Sequence, residues 1–254
     1  IMRQSLKLYH TNKLFQFLSF HFGQEATEEL MLRYHVGTSK HWPGATVFWQ
    51  VDISGRVRTG KVMLYNPENG RRIKEPHNYI TWVHSLLKKE NFNLRQCLFG
   101  EHLLTSDQQR PVALVESEKS ALISSFYLPQ YLWIASGGKN GAFNRDAMSV
   151  LLFPDLGATD YWNSKMEMIR SLGIEVSLFD FMERNATKEE RDAGYDIADF
   201  LLREETKEAI LNRLITLNPA LKTLVETFDL QLVDVKKAPF SATVQHAREG
   251  LFKR

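Results

Sequence analysis

The sequence has a single cysteine, Cys97, so neither an internal disulfide nor a cysteine-based zinc finger can form within it. Such usage suits a reducing cytoplasm. No apolar run approaches the ~20 residues that a membrane-spanning helix requires, and the opening IMRQSLKLYHTNKLF interleaves charge with apolar groups, unlike a signal peptide. A cytoplasmic protein without membrane attachment is expected. The start at Ile1 is that of a cut or processed chain, compatible with a missing N-terminal module. Net charge is nearly absent too: 32 Lys and Arg against 30 Asp and Glu leave +2, so any nucleic-acid surface has to be a local patch. There is no internal repeat and no low-complexity tract. What is there, 43% hydrophobic and 24% charged residues over 254 positions, suits one large globular domain or two modest ones.

Two helices open the chain. Leu14, Phe17, Leu18 and Phe22 recur at helical spacing, and Ala26, Leu30, Met31 and Tyr34 follow after Gly23, with Thr27 or Gln24 as cap. From Gly44 the period becomes strand-like: ATVFWQVD, a turn at Ser54 to Arg56, RVRTGKVMLY, and the turn NPENG. Arg56, Arg58, Lys61, Arg71 and Arg72 attach to this meander, as does Lys74. They form either a solvated face or a phosphate-tracking patch, with Trp42, Phe48, Trp49, Tyr65, Tyr79 and Trp82 as stacking surfaces. Ile80 to Lys89 reads as a short amphipathic helix, and QCLFGEHLL as a strand or a turn around Gly100. His84 and His102 have no further His or Cys at zinc-like spacing and are not taken as ligands. Apolar periodicity lapses over Thr105 to Arg110, the best domain boundary in the chain.

Beyond that boundary strands and helices alternate: PVALVE, SEKSALISSF, QYLWIASGG, SVLLFPD, ATDYWNSKMEMIRSLG and IEVSLFDF. This predicts a small parallel sheet with helices on its faces. Met182 to Gly194 reads as a charged loop or short helix, and Pro219 divides the terminal helical region in two. The expected fold is α/β: an α+β subdomain over 1–107, a parallel-sheet domain over 108–205, and a helical region with a peripheral tail over 206–254. Two of the parallel strands end on carboxylates, Glu116 and Asp155. Ligands of open α/β sheets gather outside the carboxyl ends of strands, so the two can converge on one divalent cation. Each also has a structural reading as the cap of the helix that follows.

VESEKSAL, GGKNGAF and LLFPD, each after a strand, resemble the successive motifs of the Toprim domain, the catalytic fold shared by bacterial-type primases, topoisomerases and some nucleases. Glu116 matches the Glu of the first motif and Asp155 the leading Asp of the Asp-x-Asp motif. Upstream, FLSFHFGQEATEELMLRYHVGTS and WQVDISGRVRTGKVMLYN resemble the N-terminal subdomain of the bacterial primase core. Together these are similar to primase-like Toprim proteins carried by mobile elements in Bacteroidetes, over roughly residues 14 to 202. Ser117 departs from the usual Gly, and Gly157 stands where the second Asp is expected.

The resemblance implies metal-dependent phosphoryl (nucleotidyl) transfer with Mg²⁺ or Mn²⁺, in DNA replication or mobile-element maintenance. Glu116 and Asp155 would be catalytic and metal-ligating, with Glu118 or Asp160 making up for Gly157, and Lys119 and Lys139 contacting phosphate. Asp196 and Asp199 echo the tail of such sequences, and a helix cap serves equally well for Asp196. Implied partners are nucleic acid, in particular single-stranded DNA, nucleoside triphosphates, and a helicase or zinc-binding protein. Three other readings stay open: a weakened Toprim module that only binds single strands, a Toprim-type nuclease, and a nucleotide-binding α/β protein unrelated to primases.

Overall fold

The computed structural model describes residues 1–88, 90–107, 110–137 and 149–233. The chain opens with a single turn, α1 (Met2–Ser5), then α2 (Lys13–Phe22) and α3 (Gln24–Arg33). Asn12 starts α2 by accepting from the Leu14 and Phe15 amides. Neither Thr27 nor Gln24 caps α3. Gly23 holds that position at φ +81°, and the Thr27 hydroxyl donates back to its carbonyl.

Four antiparallel strands follow in spatial order: β1 (Val36–Ser39), β2 (Ala45–Val51), β3 (Val57–Met63) and β4 (Ile80–Trp82). β1 is short and carries little alternation, so the sequence did not signal it. The helix expected over Ile80 to Lys89 is instead strand β4 followed by one turn, α4 (Val83–Leu86). The apolar positions of ITWV fit both periods, and pairing with β3 decides for strand. Both faces of this sheet are covered. Ala45, Val47, Trp49 and Val51 pack on one side with Val62 and Leu64, while Phe48 and Met63 join the main core on the other.

The parallel sheet comes next. β5 (Val112–Val115) leads into α5 (Glu118–Tyr127), then β6 (Leu132–Ala135), β7 (Ser149–Leu152), α6 (Thr159–Ser171) and β8 (Glu175–Leu178). Its order is β6-β5-β7-β8, with every neighbour parallel. β5, β6 and β7 are buried along nearly their whole length, as expected of strands covered on both faces, while the outer strand β8 buries Val176. Short helices α7 (Phe181–Asn185), α8 (Lys188–Ala193) and α9 (Ile197–Leu201) return to the sheet's carboxyl edge. α10 (Lys207–Leu217) and α11 (Ala220–Thr227) then flank Pro219, where the sequence placed a break. The fold is mixed α/β with one parallel sheet. The main core is continuous from α2 and α3 through both sheets to α9. Among the described residues no helix is long and apolar enough to cross a membrane.

Candidate functional site

β5 and β7 are hydrogen-bonded neighbours, with Leu114 paired to Leu152. Glu116 follows β5 directly and Asp155 follows β7 after Phe153 and Pro154, so both leave the sheet at its carboxyl edge. Both line a cavity of about 540 Å³. Across it stands the antiparallel sheet, which contributes Lys61, Met63 and Tyr65, and the turn after β3, which contributes Arg71, Arg72 and Lys74. The helix starts of α5 and α9 complete the wall with Ser117, Glu118, Lys119, Asp196 and Asp199. Five carboxylates and five cations thus share one concavity.

Each is placed by local chemistry. Glu116 is 7% exposed, and its Oε1 accepts from the Trp162 indole at 3.0 Å. It is not the cap of α5. Ser117 is, accepting from the Ser120 amide at 3.1 Å in ordinary extended backbone (φ −105°), so the turn after β5 has no need of the glycine usual there. The Ser120 hydroxyl in turn bonds the Asp196 carboxylate. Asp196 and Asp199 form a reciprocal capping box at the start of α9. Burial, followed by the neighbouring charge of Asp196, raises the Asp199 carboxyl above its ordinary range, while Lys119 and Arg71 oppose the shift.

The two sheets are tied together across the cavity. Lys61 Nζ lies 3.1 Å from Glu118 Oε1 and 3.2 Å from Oε2, and it donates to the Gly137 carbonyl at 3.1 Å. Glu118 is 2% exposed. Gly137 has φ +75°, and a Cβ there would meet Glu118 Oε1 at 3.3 Å, which explains glycine at this approach. Arg71 and Arg72 are presented by the NPENG turn. Asn66 and Asn69 side chains accept from the Glu68 and Arg71 amides, and Gly70 packs so closely on Phe17 that a side chain would clash. Arg71, Arg72, Lys74 and Lys119 make no ion pair among the described residues.

The remaining expected residues are placed elsewhere or outside view. Arg56 and Arg58 do not line the cavity. Both guanidinium groups bond the buried Asp52 carboxylate, Arg56 Nε at 2.9 Å and Arg58 Nε at 2.7 Å. Burial acts to raise that carboxyl, but the Arg56 amide and the two guanidinium groups outweigh it and hold Asp52 below the usual range. Asp160 is exposed in the first turn of α6 and does not line the cavity. Lys139 lies outside the described residues. Phe48, Trp49 and Tyr65 are core residues, at most 3% exposed, and offer no stacking face. His102 and His35 are stacked on each other, with centroids 4.3 Å apart. Lys74, one of the cations of the expected patch, belongs to the cavity, and so do Asp196 and Asp199, which sequence reasoning did not take as catalytic. The signal for the aspartates was YDIADFLL, which satisfies a capping box and a carboxylate site equally.

Among the described residues no three His, Cys, Asp or Glu side chains stand close enough together to hold a metal ion. Glu118 is committed to Lys61, and Asp196 to Ser120 and the α9 cap. The donor set that fits a cation is the pair Glu116 and Asp155, oxygen ligands on adjacent strands. That suits a hard ion such as Mg²⁺, which keeps several waters and takes one or two carboxylates, and it does not suit an all-protein cage.

Residues 12–156 match a family described as "Domain of unknown function (DUF6371)", more than half of the chain. The chain belongs to this family. The DUF6371 match covers β5 and β7 and so both strand-end carboxylates. No curated protein matches the sequence. Similar solved structures include the RNA polymerase domain of Mycobacterium tuberculosis primase DnaG, at 11% identity and TM-score 0.46, covering 98% of this chain and 94% of that one. The Aquifex aeolicus primase zinc-binding and RNA polymerase domains show 13% identity and TM-score 0.42, covering 86% and 72%. A DnaG primase catalytic domain bound to ssDNA shows 14% identity and TM-score 0.40, covering 98% and 96%. These are backbone likenesses at low identity, and none carries an argument about activity.

Proposed function

We propose that this DUF6371 chain is a primase-like Toprim protein that binds nucleic acid in the cavity between its two sheets and carries out metal-dependent nucleotidyl transfer there. The observation that carries the reading is the shared cavity: paired strand-end carboxylates, Glu116 and Asp155, open onto four cations with no ion pair among the described residues. Carboxylates alone would serve a cation, and cations alone a polyanion. Phosphoryl transfer on a polyanion needs both.

In this mechanism Arg71, Arg72, Lys74 and Lys119 take the phosphates, the arginines in bidentate fashion. Mg²⁺ or Mn²⁺ on Glu116 and Asp155 would supply charge neutralisation at the reacting phosphate and in-line alignment of its oxygens. Trp162 fixes the Glu116 carboxylate through its indole N–H. The Lys61–Glu118 pair keeps the two walls at a set distance. Single-stranded DNA, nucleoside triphosphates and a helicase or zinc-binding protein are the partners of this reading, and replication or maintenance of a mobile element its setting.

The test is template-dependent incorporation of nucleotides, with cleavage of the same oligonucleotide read in parallel, on the parent and Glu116→Gln. Activity that disappears in Glu116→Gln supports the reading, and cleavage without incorporation selects the nuclease form. Full activity in the variant contradicts it. A second reading, a module that only binds single strands, is favoured by Gly157 at the second acidic position and by the absence of a three-ligand group among the described residues. It predicts salt-dependent oligonucleotide binding that metal does not change.

A further inference from the structure

β4 pairs with β3 so that Trp82 lies directly opposite Lys61. Directly opposed residues project from the same face of a sheet, so Trp82 stands beside a cation that lines the cavity. Two residues before Lys61 on that face, the Thr59 hydroxyl and His84 Nδ1 share a 2.8 Å hydrogen bond, which fixes the imidazole. The His84 ring lies flat against Phe92, with centroids 4.9 Å and planes 9° apart, and its centroid is 6.1 Å from that of Trp82. All three rings are only partly buried, unlike the core aromatics of the same sheet. β4 is moreover an outer strand of this sheet. A partly exposed aromatic cluster, with His84 stacked on Phe92 and Trp82 tilted 38° from His84, therefore continues the cationic wall of the cavity.

We propose that Trp82, His84 and Phe92 form a nucleobase-stacking platform, over which single-stranded nucleic acid leaves the cationic cavity with its bases laid on the rings. The proposal rests on the reading of the cavity as a nucleic-acid site and adds the path and the mode of contact. Cations hold the phosphates and say nothing about bases; aromatic faces hold any base, because every base has a π-face. The combination fits an unpaired strand. A duplex keeps its base faces stacked inside and cannot use such a platform.

The test is anisotropy titration of the full chain with a short oligodeoxythymidylate and with an abasic oligomer of the same length. The base-bearing strand should bind about tenfold more tightly, the order expected for one or two stacked bases. Trp82→Ala should remove that advantage and leave affinity for the abasic strand unchanged, while Trp82→Phe should keep most of it. Phe92→Leu, at a partly exposed loop position, should reduce the advantage in part and serves where Trp82→Ala does not fold. Equal binding of the two strands by the native chain, or a preference that survives Trp82→Ala, overturns the platform alone. If neither strand binds at low salt, the reading of the cavity falls with it.

Discussion

Lys61→Met is the sharpest perturbation of the cleft. The substitution keeps the length and apolar stem of the side chain and removes its charge and its donor to the Gly137 carbonyl, leaving Glu118 buried at 2% exposure without that counter-ion. At 3.1 Å the pair has a gross attraction of about 5 kcal/mol in an effective dielectric of roughly 20. Part of that is offset because Lys61 no longer has to be desolvated. Breaking a buried pair from one side costs about 3–5 kcal/mol, a large share of the 5–15 kcal/mol typical of a whole domain. In a chain of this size that lowers the melting temperature by about 6–20 °C. Urea unfolding of the parent, Lys61→Met, Glu118→Gln and the double variant reads it directly. The double variant, with no buried charge, should regain at least half of the loss. A single variant within about 1 kcal/mol of the parent, or a double variant no more stable than the single, refutes the pair as a tie between the sheets.

Stability should also fall with acid through His102. Burial first, then the charges of His35 and Arg33, push that imidazole down to about 4. The unfolded side chain takes up a proton near pH 6.5 and the folded one does not, so stability present at pH 7 is lost as pH falls towards 4, by about 1–3 kcal/mol. His102→Phe keeps the ring against His35 and should flatten this part of the pH profile; an unchanged profile contradicts the assignment. For oligonucleotide binding, Arg71→Ala with Arg72→Ala should reduce the slope of log affinity against log salt by about 2. Arg56→Ala with Arg58→Ala should leave that slope unchanged, because those guanidinium groups are spent on Asp52; the reverse pattern would move the site to the β2–β3 turn. Trp162→Phe removes the indole donor from a buried carboxylate and should cost about 1–3 kcal/mol, part of which Glu116→Gln restores in the same background. No recovery would mean that the indole packs without positioning Glu116.

The parallel sheet was legible because its strands are short, predominantly apolar and separated by helical stretches, a pattern with few alternative folds. The strand-end position of Glu116 and Asp155 followed from the same pattern. What the sequence could not assign was which cations face the carboxylates. Arg56 and Arg58 sit at a strand period with Lys61 three residues on, yet Asp52, a residue with no distinguishing local pattern, captures the first two and leaves Lys61 pointing across the cleft. β4 was missed because three residues of strand running into one helical turn resemble a short amphipathic helix until the partner strand is known. For Asp196 and Asp199 the sequence left a helix cap and a carboxylate site equally open. The approach of Asp196 to Ser120 is a contact across 76 positions, beyond any local signal.

The measurement that bears most directly on the cavity is calorimetric titration of Mn²⁺, with and without a short single-stranded oligonucleotide, into the native chain and Asp155→Asn. Uptake that requires Asp155 and tightens when oligonucleotide is present is the expected result. It would place cation and phosphate in the one concavity where Glu116 and Asp155 meet Arg71, Arg72 and Lys119. Oligonucleotide binding with no Mn²⁺ uptake, or uptake indifferent to Asp155→Asn, would contradict metal-dependent transfer and leave the protein a binder of single strands.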